Sequence, residues 1–575
     1  MAGRMYPSAV IGDGRDIEGG RELDADLCII GGGAAGIAIA QEFADGPAHV
    51  ILLESGGFDF ETEVNELDVG SITGLPYFPL DEARLRFFGG STNHWGGYCR
   101  PFEPSDLAAR AWVPGSGWPI SRTDLDAYYP RARPIVGLPT EGRDPDDVIS
   151  SDGARPLFGD SSRLVHVLAE IVPKTSRSFG VRYRSELEAA ARVDVLLHSD
   201  AIEIETDDDG RRVERVHVAT LAGNRFSVRP AVVVLATGGI ENARLLLASD
   251  RLRTNGVGND NDLVGRYFMD HPRFVAGSLV PTDDLHVRFY EPHDVGGHDF
   301  IGYLALTEAV LEAEEILEVQ VRIGPIYTPA VQAALTSEDV DSLSDLVRQR
   351  PEALDALGEH VARVVADLAT WQDGTVPGGP LAVPLPEVVA EVRERLLDGD
   401  FGELIPFLFG DIATVGYRDA LGALPADSAT LTTRIDPLPD PDSRVTLGAE
   451  RDALGMRRAE LHWELGQLDK WSAIRTLEIL GEELGQAGVG RVRVGLHEDD
   501  DWPTDLAGGW HHMGTTRMSL DPSQGVVDPD CRVHGMDNLY IAGSSVFPTA
   551  GSGTPTMTIV ALALRLADHL RERLA

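Results

Sequence analysis

Asp26-Leu27-Cys28-Ile29-Ile30-Gly31-Gly32-Gly33-Ala34-Ala35-Gly36 is the stretch from which the fold of this chain is read. Leu27 to Ile30 is a short continuous apolar run, the pattern of a buried strand, and Ile37 to Phe43 follows the glycines as a helical run. The reading is strand, glycine turn, helix. Gly31 permits the tight turn, Gly33 lets the backbone approach a pyrophosphate lying on a helix N-terminus that starts at Ala34 and Ala35, and Gly36 lets helix and strand pack closely. A second strand, His49 to Leu53, ends at Glu54, 18 residues past Gly36. An acidic side chain there binds ribose hydroxyls. The combination predicts a dinucleotide-binding unit; a glycine loop without a ligand would leave the position of Glu54 as coincidence.

Downstream, Phe87-Phe88-Gly89-Gly90-Ser91-Thr92-Asn93-His94-Trp95-Gly96-Gly97 is too glycine-rich for a regular element, yet it carries aromatic and polar side chains. Such a loop can lay backbone along a flat ring, with Gly90, Ser91, Asn93, His94, Trp95 and Gly96 as its contact residues. His94 has two readings, a hydrogen-bonding residue near the ring or a covalent attachment point for it. From Pro101 to Pro139 the text is irregular, and Trp112, Trp118, Tyr128 and Tyr129 suggest a packed cover.

Strand signals return at Val193 to Leu197, Ala201 to Glu205, Val213 to Thr220 and Arg225 to Val228, which read as an antiparallel meander. They lead into Val232 to Ile240, a buried strand ending in glycines, with a helix from Glu241 to Ala248. A strand, a glycine pair and a helix recurring this late predict that the first domain resumes after an excursion. Gly265 to Pro272 closes the block. Between 276 and 504, strand-like runs at Phe274 to Val280, Val319 to Ile323 and Ala459 to Trp463 surround a helical region at about 329–408, whose role is open between substrate contacts, lid and oligomer interface.

Near the C-terminus stand Trp510-His511-His512-Met513-Gly514-Thr515, then Asn538 to Ser544, then Gly551-Ser552-Gly553-Thr554-Pro555-Thr556 opening a long apolar helix. A CH–OH group is oxidised when a base takes its hydroxyl proton while the carbon-bound hydrogen leaves as hydride to a cofactor, and a neutral imidazole suits that base. His511 and His512 are the candidates. Thr554, Pro555 and Thr556 read as N-cap, first helical position and first turn, with Thr554 as a second candidate for contact with the substrate oxygen.

The balance of 50 Lys+Arg against 92 Asp+Glu gives a formal charge of −42, which argues against nucleic acid and anionic lipid as partners. Cys28, Cys99 and Cys531 are far apart and show neither a disulfide framework nor a metal-ligand spacing, so no metal is expected and a reducing compartment fits. No leader-like segment and no membrane span are visible, which predicts a cytoplasmic protein. At 575 residues with 43% hydrophobic content the chain exceeds one core.

Taken in order, these motifs resemble the glucose-methanol-choline (GMC) family of FAD oxidoreductases, in the style of bacterial sugar and polyol dehydrogenases and pyranose oxidases. The resemblance rests on Gly31 to Gly36 with Glu54, Gly89 to Trp95, Val234 to Leu247, Gly265 to Pro272, His511 to Thr515, Asn538 to Pro548 and Pro555 to Leu570. It implies FAD as cofactor, held also by Gly543 and Ser544, and puts the family's catalytic histidine on His511. Some members attach FAD through a histidine in the register of His94; others hold it non-covalently. The family usually has Asn or His at the position of Thr554.

The implied fold is α/β: a discontinuous Rossmann-like FAD-binding domain (22–130, 190–275 and 505–575) with an interleaved α+β substrate-binding domain (131–189 and 276–504). The implied activity is oxidation of a sugar, polyol or glycoside-like hydroxyl, reoxidised by oxygen, a quinone or a redox protein. The alternatives are a flavin monooxygenase, for which a second nucleotide fingerprint is missing, and a catalytically silent flavoprotein. Oligomeric state is open.

Overall fold

The structure is a computed structural model that describes residues 11–150, 155–159, 161–327 and 425–575. The expected helical region at 329–408 lies outside the described residues.

The Glu22–Ile30 strand is flanked in parallel by Val50–Leu53 and by Arg225–Leu235, with the Ala34–Glu42 helix between the first two. Val193–Leu197 continues the parallel set beyond Val50–Leu53, and Ile11–Asp13 closes that edge. This corrects the expected four-strand meander. Val193 to Leu197 is almost wholly buried, and a strand covered on both faces belongs inside a parallel sheet rather than in a half-solvated hairpin ladder. Only Asp200–Thr206, Val213–Ala219 and Arg225–Leu235 form the antiparallel meander. The last is one continuous strand, where the sequence suggested two. Its first half pairs with the meander, and its second half carries Leu539–Ile541 in parallel.

The second sheet is antiparallel and runs Gly490–Val494, Arg273–Pro281, Ser428–Ile435, Val319–Ile326, Asp299–Leu306, Leu164–Ile171, Tyr98–Cys99. Two of the three expected strand-like runs fall here. The third, within Arg457–Trp463, pairs with Arg444–Arg451 and Ser71–Gly74 in a small third sheet. Ile11–Asp13 thus joins the first sheet ahead of residue 22, and Tyr98–Cys99 joins the second from within 22–130.

The C-terminal Thr556–Leu574 helix packs on the Ala34–Glu42 helix and on the short Tyr129–Val136 helix of the cover. Val560, Ala561, Leu564 and Leu570 on it are fully buried. At about 1.5–3 kcal/mol for each large side chain withdrawn from water, this face ties the C-terminal segment to the first domain's core. The expected N-cap is not formed. Pro555 occupies the cap position with no side-chain bond, and the Thr554 hydroxyl donates across to the Tyr98 carbonyl at 2.7 Å.

Candidate active site

A cavity of about 500 Å³ opens where the Gly31 turn, the Gly90 loop and the start of the C-terminal helix meet. Gly31 sits at φ +107°, and a Cβ there would lie 2.6 Å from the Ala236 carbonyl oxygen. Gly36 does not line the cavity. Its added Cβ would meet the Gly31 carbonyl oxygen at 1.9 Å, so it serves the close packing of helix on turn. Gly33 is the opposite case: it lines the cavity, and a Cβ there meets nothing within 4 Å. It also caps the Ala34–Glu42 helix without any side-chain bond, leaving first-turn N–H groups of Ala34 and Ala35 for an anion. Glu54 is buried on the same wall. Its Oε2 accepts from Gly32 N at 2.7 Å and its Oε1 from Gly56 N at 3.2 Å. Burial pushes its carboxyl up, against those two bonds and the Arg86 guanidinium.

At the other end, His511, His512, Gly543, Ser544, Thr554, Pro555 and Thr556 share the wall. His511 Nδ1 is 2.8 Å from His271 Nδ1. Burial, then His271, Arg434, His512 and Arg273, hold the His511 imidazole well below its usual 6.5. His512 is pushed down to about 3, mainly by burial, and its buried Nε2 has no hydrogen-bond partner among the described residues. The C-terminal helix begins on the cavity with an uncapped first turn.

The Gly90 loop completes the enclosure. Gly89 N donates to Gly32 O at 2.8 Å, which ties this loop to the dinucleotide turn. Gly90, Ser91, His94, Trp95 and Gly96 line the cavity. Asn93 does not: its Nδ2 donates to Phe88 O at 3.0 Å and its Oδ1 accepts from Ser178, so it holds the loop's own shape.

Residues 439–563 match the family model described as GMC oxidoreductase. The match covers the segment that carries His511 and Thr554 and marks it as similar to GMC oxidoreductases. The chain's curated relatives include 2-methyl-1,2-propanediol dehydrogenase of Mycolicibacterium austroafricanum, 23% identical over 95% of each chain. They also include the fructose dehydrogenase large subunit of Gluconobacter japonicus, 21% identical over 95% of this chain and 98% of that one. A solved formate oxidase variant from Aspergillus oryzae superposes with a TM-score of 0.52 at 17% identity, covering 97% and 99% of the two chains, a likeness of fold.

The matched family implies FAD as cofactor, and the residues present fit it: an open Cβ direction at Gly33, two uncapped helix starts, a buried acid at Glu54 and an orphaned imidazole nitrogen at His512. Sequence reasoning missed the charged wall of this site. Arg86 donates to Asp68 at 2.7 Å and to Glu241 at 2.6 Å, and Arg84 reaches Glu241 at 2.9 Å. Burial would raise the Glu241 carboxyl, yet Arg244, Arg86 and Arg84 hold it well below the usual carboxylate range. Glu241 and Arg244 stand at i,i+3 in a largely apolar helix, and that spacing was the available signal. Asp270 and His271 were also missed, although the segment Gly265 to Pro272 had been singled out.

Proposed function

We propose that this chain is an oxidoreductase of the GMC type that oxidises a CH–OH group of a polyol, sugar or glycoside-like molecule to a carbonyl, with His511 as the base. The observation that carries the reading is that His511 stands on the wall of the same cavity as the Gly31 to Ala35 turn, with one ring nitrogen already engaged by His271. An imidazole held well below 6.5 is neutral near pH 7 and ready to accept a proton. Bound FAD supplies the two-electron acceptor that takes the carbon-bound hydrogen.

Each remaining residue has a part. Gly31, Gly33, Ala34 and Ala35 hold the pyrophosphate, and Glu54 offers its remaining lone pairs to the ribose. Gly90, Ser91, His94, Trp95, Gly96, Gly543 and Ser544 enclose the ring system. The first turn at Pro555 and Thr556, uncapped on the cavity wall, would offer its N–H dipoles to negative charge developing on the bound ring system. Thr554 gives its proton to Tyr98 O, so toward substrate it can only accept. His512 lines the same cavity, and its neutral imidazole would offer Nε2 for one bond. His94 serves as a non-covalent contact, which a denaturing gel tests: flavin fluorescence migrating with the polypeptide contradicts it. We also propose the division 22–130, 190–275 and 505–575 for the FAD-binding domain, with 131–189 and 276–504 for the substrate-binding domain.

The substrate class is supported by the relatives named for a diol and for fructose. Anaerobic mixing of the FAD-loaded protein with a panel of diols, polyols and sugars, without reduced nicotinamide, should bleach the flavin. A protein bleached only by a reduced nicotinamide contradicts the proposal.

A further inference from the structure

The segments 267–273 and 507–515 lie side by side, with Met269 and Met513 exchanging both backbone bonds at 3.0 and 2.9 Å. Counting two residues along each strand from that pair brings His271 opposite His511 on one face of the ladder. Beyond this point the pairing slips, since Arg273 is bridged to Ala507, and the two extra residues are absorbed in a bend at Gly508 to Trp510. Trp510 takes φ +59° there, a left-handed conformation that an aromatic residue rarely adopts. One carboxylate oxygen spans the bend. Asp270 Oδ1 accepts from Gly509 N at 3.0 Å and from His511 N at 2.9 Å, while its Oδ2 accepts from the Tyr77 hydroxyl. Asp270 thus fixes the backbone of His511, and His271 meets its ring.

The bonding pattern assigns the protons. His271 is fully buried, and its Nε2 lies 2.6 Å from the Gly551 carbonyl oxygen, an atom that can only accept. Nε2 therefore carries the hydrogen. Burial also keeps His271 neutral, so its Nδ1 presents a lone pair. His511 Nδ1, at 2.8 Å, must then be the donor. In a neutral His511 this leaves the lone pair on Nε2, the nitrogen turned away from His271.

We propose that His271 is a positioning residue that locks His511 in its Nδ1–H tautomer, so that Nε2 faces the substrate hydroxyl as a ready acceptor. The chain of bonds runs from His511 through His271 to the Gly551 carbonyl, in the turn that precedes the C-terminal helix. It thereby ties the orientation of the base to the segment that carries Thr554. The inference rests on the reading of His511 as the base.

The test uses the FAD-loaded protein with His271→Leu, which removes both bonds, and His271→Asn, whose amide oxygen can occupy the place of Nδ1. Flavin content, melting temperature and the anaerobic flavin-reduction rate are measured, together with ¹⁵N spectra of histidine-labelled protein in which the His511 signals are those lost in His511→Ala. In wild type the His511 Nε2 should be unprotonated and Nδ1 protonated. His271→Leu should keep FAD, reduce flavin at least about tenfold more slowly and lose that single-tautomer signature, while His271→Asn recovers most of the rate. Reduction in His271→Leu within about threefold of wild type, or equal slowing in both variants, overturns the positioning role. Failure of the underlying reading looks different: His511→Ala would then reduce flavin at the wild-type rate.

Discussion

Gly33 and Gly36 sit in one turn, and the structure separates what each does. In Gly33→Ala the added Cβ meets no atom within 4 Å, and φ −87°, ψ −166° is open to any residue. Replacing glycine by alanine at an N-cap costs roughly 0.5–1 kcal/mol, and the loss of unfolded-chain freedom returns about 0.4–1 kcal/mol. The apoprotein should therefore melt within a degree or two of wild type. The FAD-loaded protein should not, because the methyl occupies the direction in which a pyrophosphate approaches. Overpacking of about 1–3 kcal/mol corresponds to roughly 5–150-fold in Kd. In Gly36→Ala the balance reverses. Alanine gains up to about 1 kcal/mol of helix propensity, but a Cβ at 1.9 Å from the Gly31 carbonyl oxygen forces backbone apart at about 1–3 kcal/mol or more. The apoprotein itself is destabilised. Deflavinated protein is melted, and FAD is titrated back by fluorescence quenching. Wild-type FAD affinity in Gly33→Ala, or wild-type apoprotein melting in Gly36→Ala, would refute the assignment of the two glycines.

Glu54→Ala should lose FAD more readily while the protein that retains it reduces flavin at nearly the wild-type rate, since the ribose contact is remote from the reacting bond; unchanged flavin occupancy contradicts this. Thr554→Ala should lower stability by about 1 kcal/mol through the lost bond to Tyr98 O, and Thr554→Ser should keep it. If neither change moves the melting temperature, the Thr554–Tyr98 bond is not holding the turn. Because burial and the neighbouring charges depress His511, its neutral form persists as pH falls through 6.5. The wild-type flavin-reduction rate should then stay level from about pH 8 to pH 6.5 and drop only in more acidic solution. A midpoint at or above 6.5 in that profile counts against a buried base.

The α/β class and the strand–turn–helix at Gly31 were legible because a continuous apolar run, a glycine turn and an acid at the right distance are local features. The shared cavity was legible only through the order of motifs, since nothing local says that His511 and Gly33 line one cavity. Val193 to Leu197 was misread as part of a meander because a short apolar strand carries no mark of its partners: the parallel neighbour, Val50 to Leu53, is distant in sequence. Thr554 was misread as an N-cap because N-cap preference is a local statistic: the helix starts one residue later, with Pro555 at the cap position, and the bond that Thr554 makes, to Tyr98 O, lies on another strand. Asn93 looked like a contact residue for the same reason, as its partner Ser178 is invisible from the loop alone. His271 was missed because its role depends on a register between two irregular segments, and no periodicity encodes that register.

The role of His511 as the base is tested most directly by anaerobic stopped-flow reduction of the FAD-loaded His511→Ala protein by a substrate that bleaches the wild type. Flavin content and melting temperature should match wild type, and reduction should be slower by about a hundredfold or more, the scale of a lost general base. Reduction at the wild-type rate, with FAD bound, would contradict the central claim and pass the role to His512.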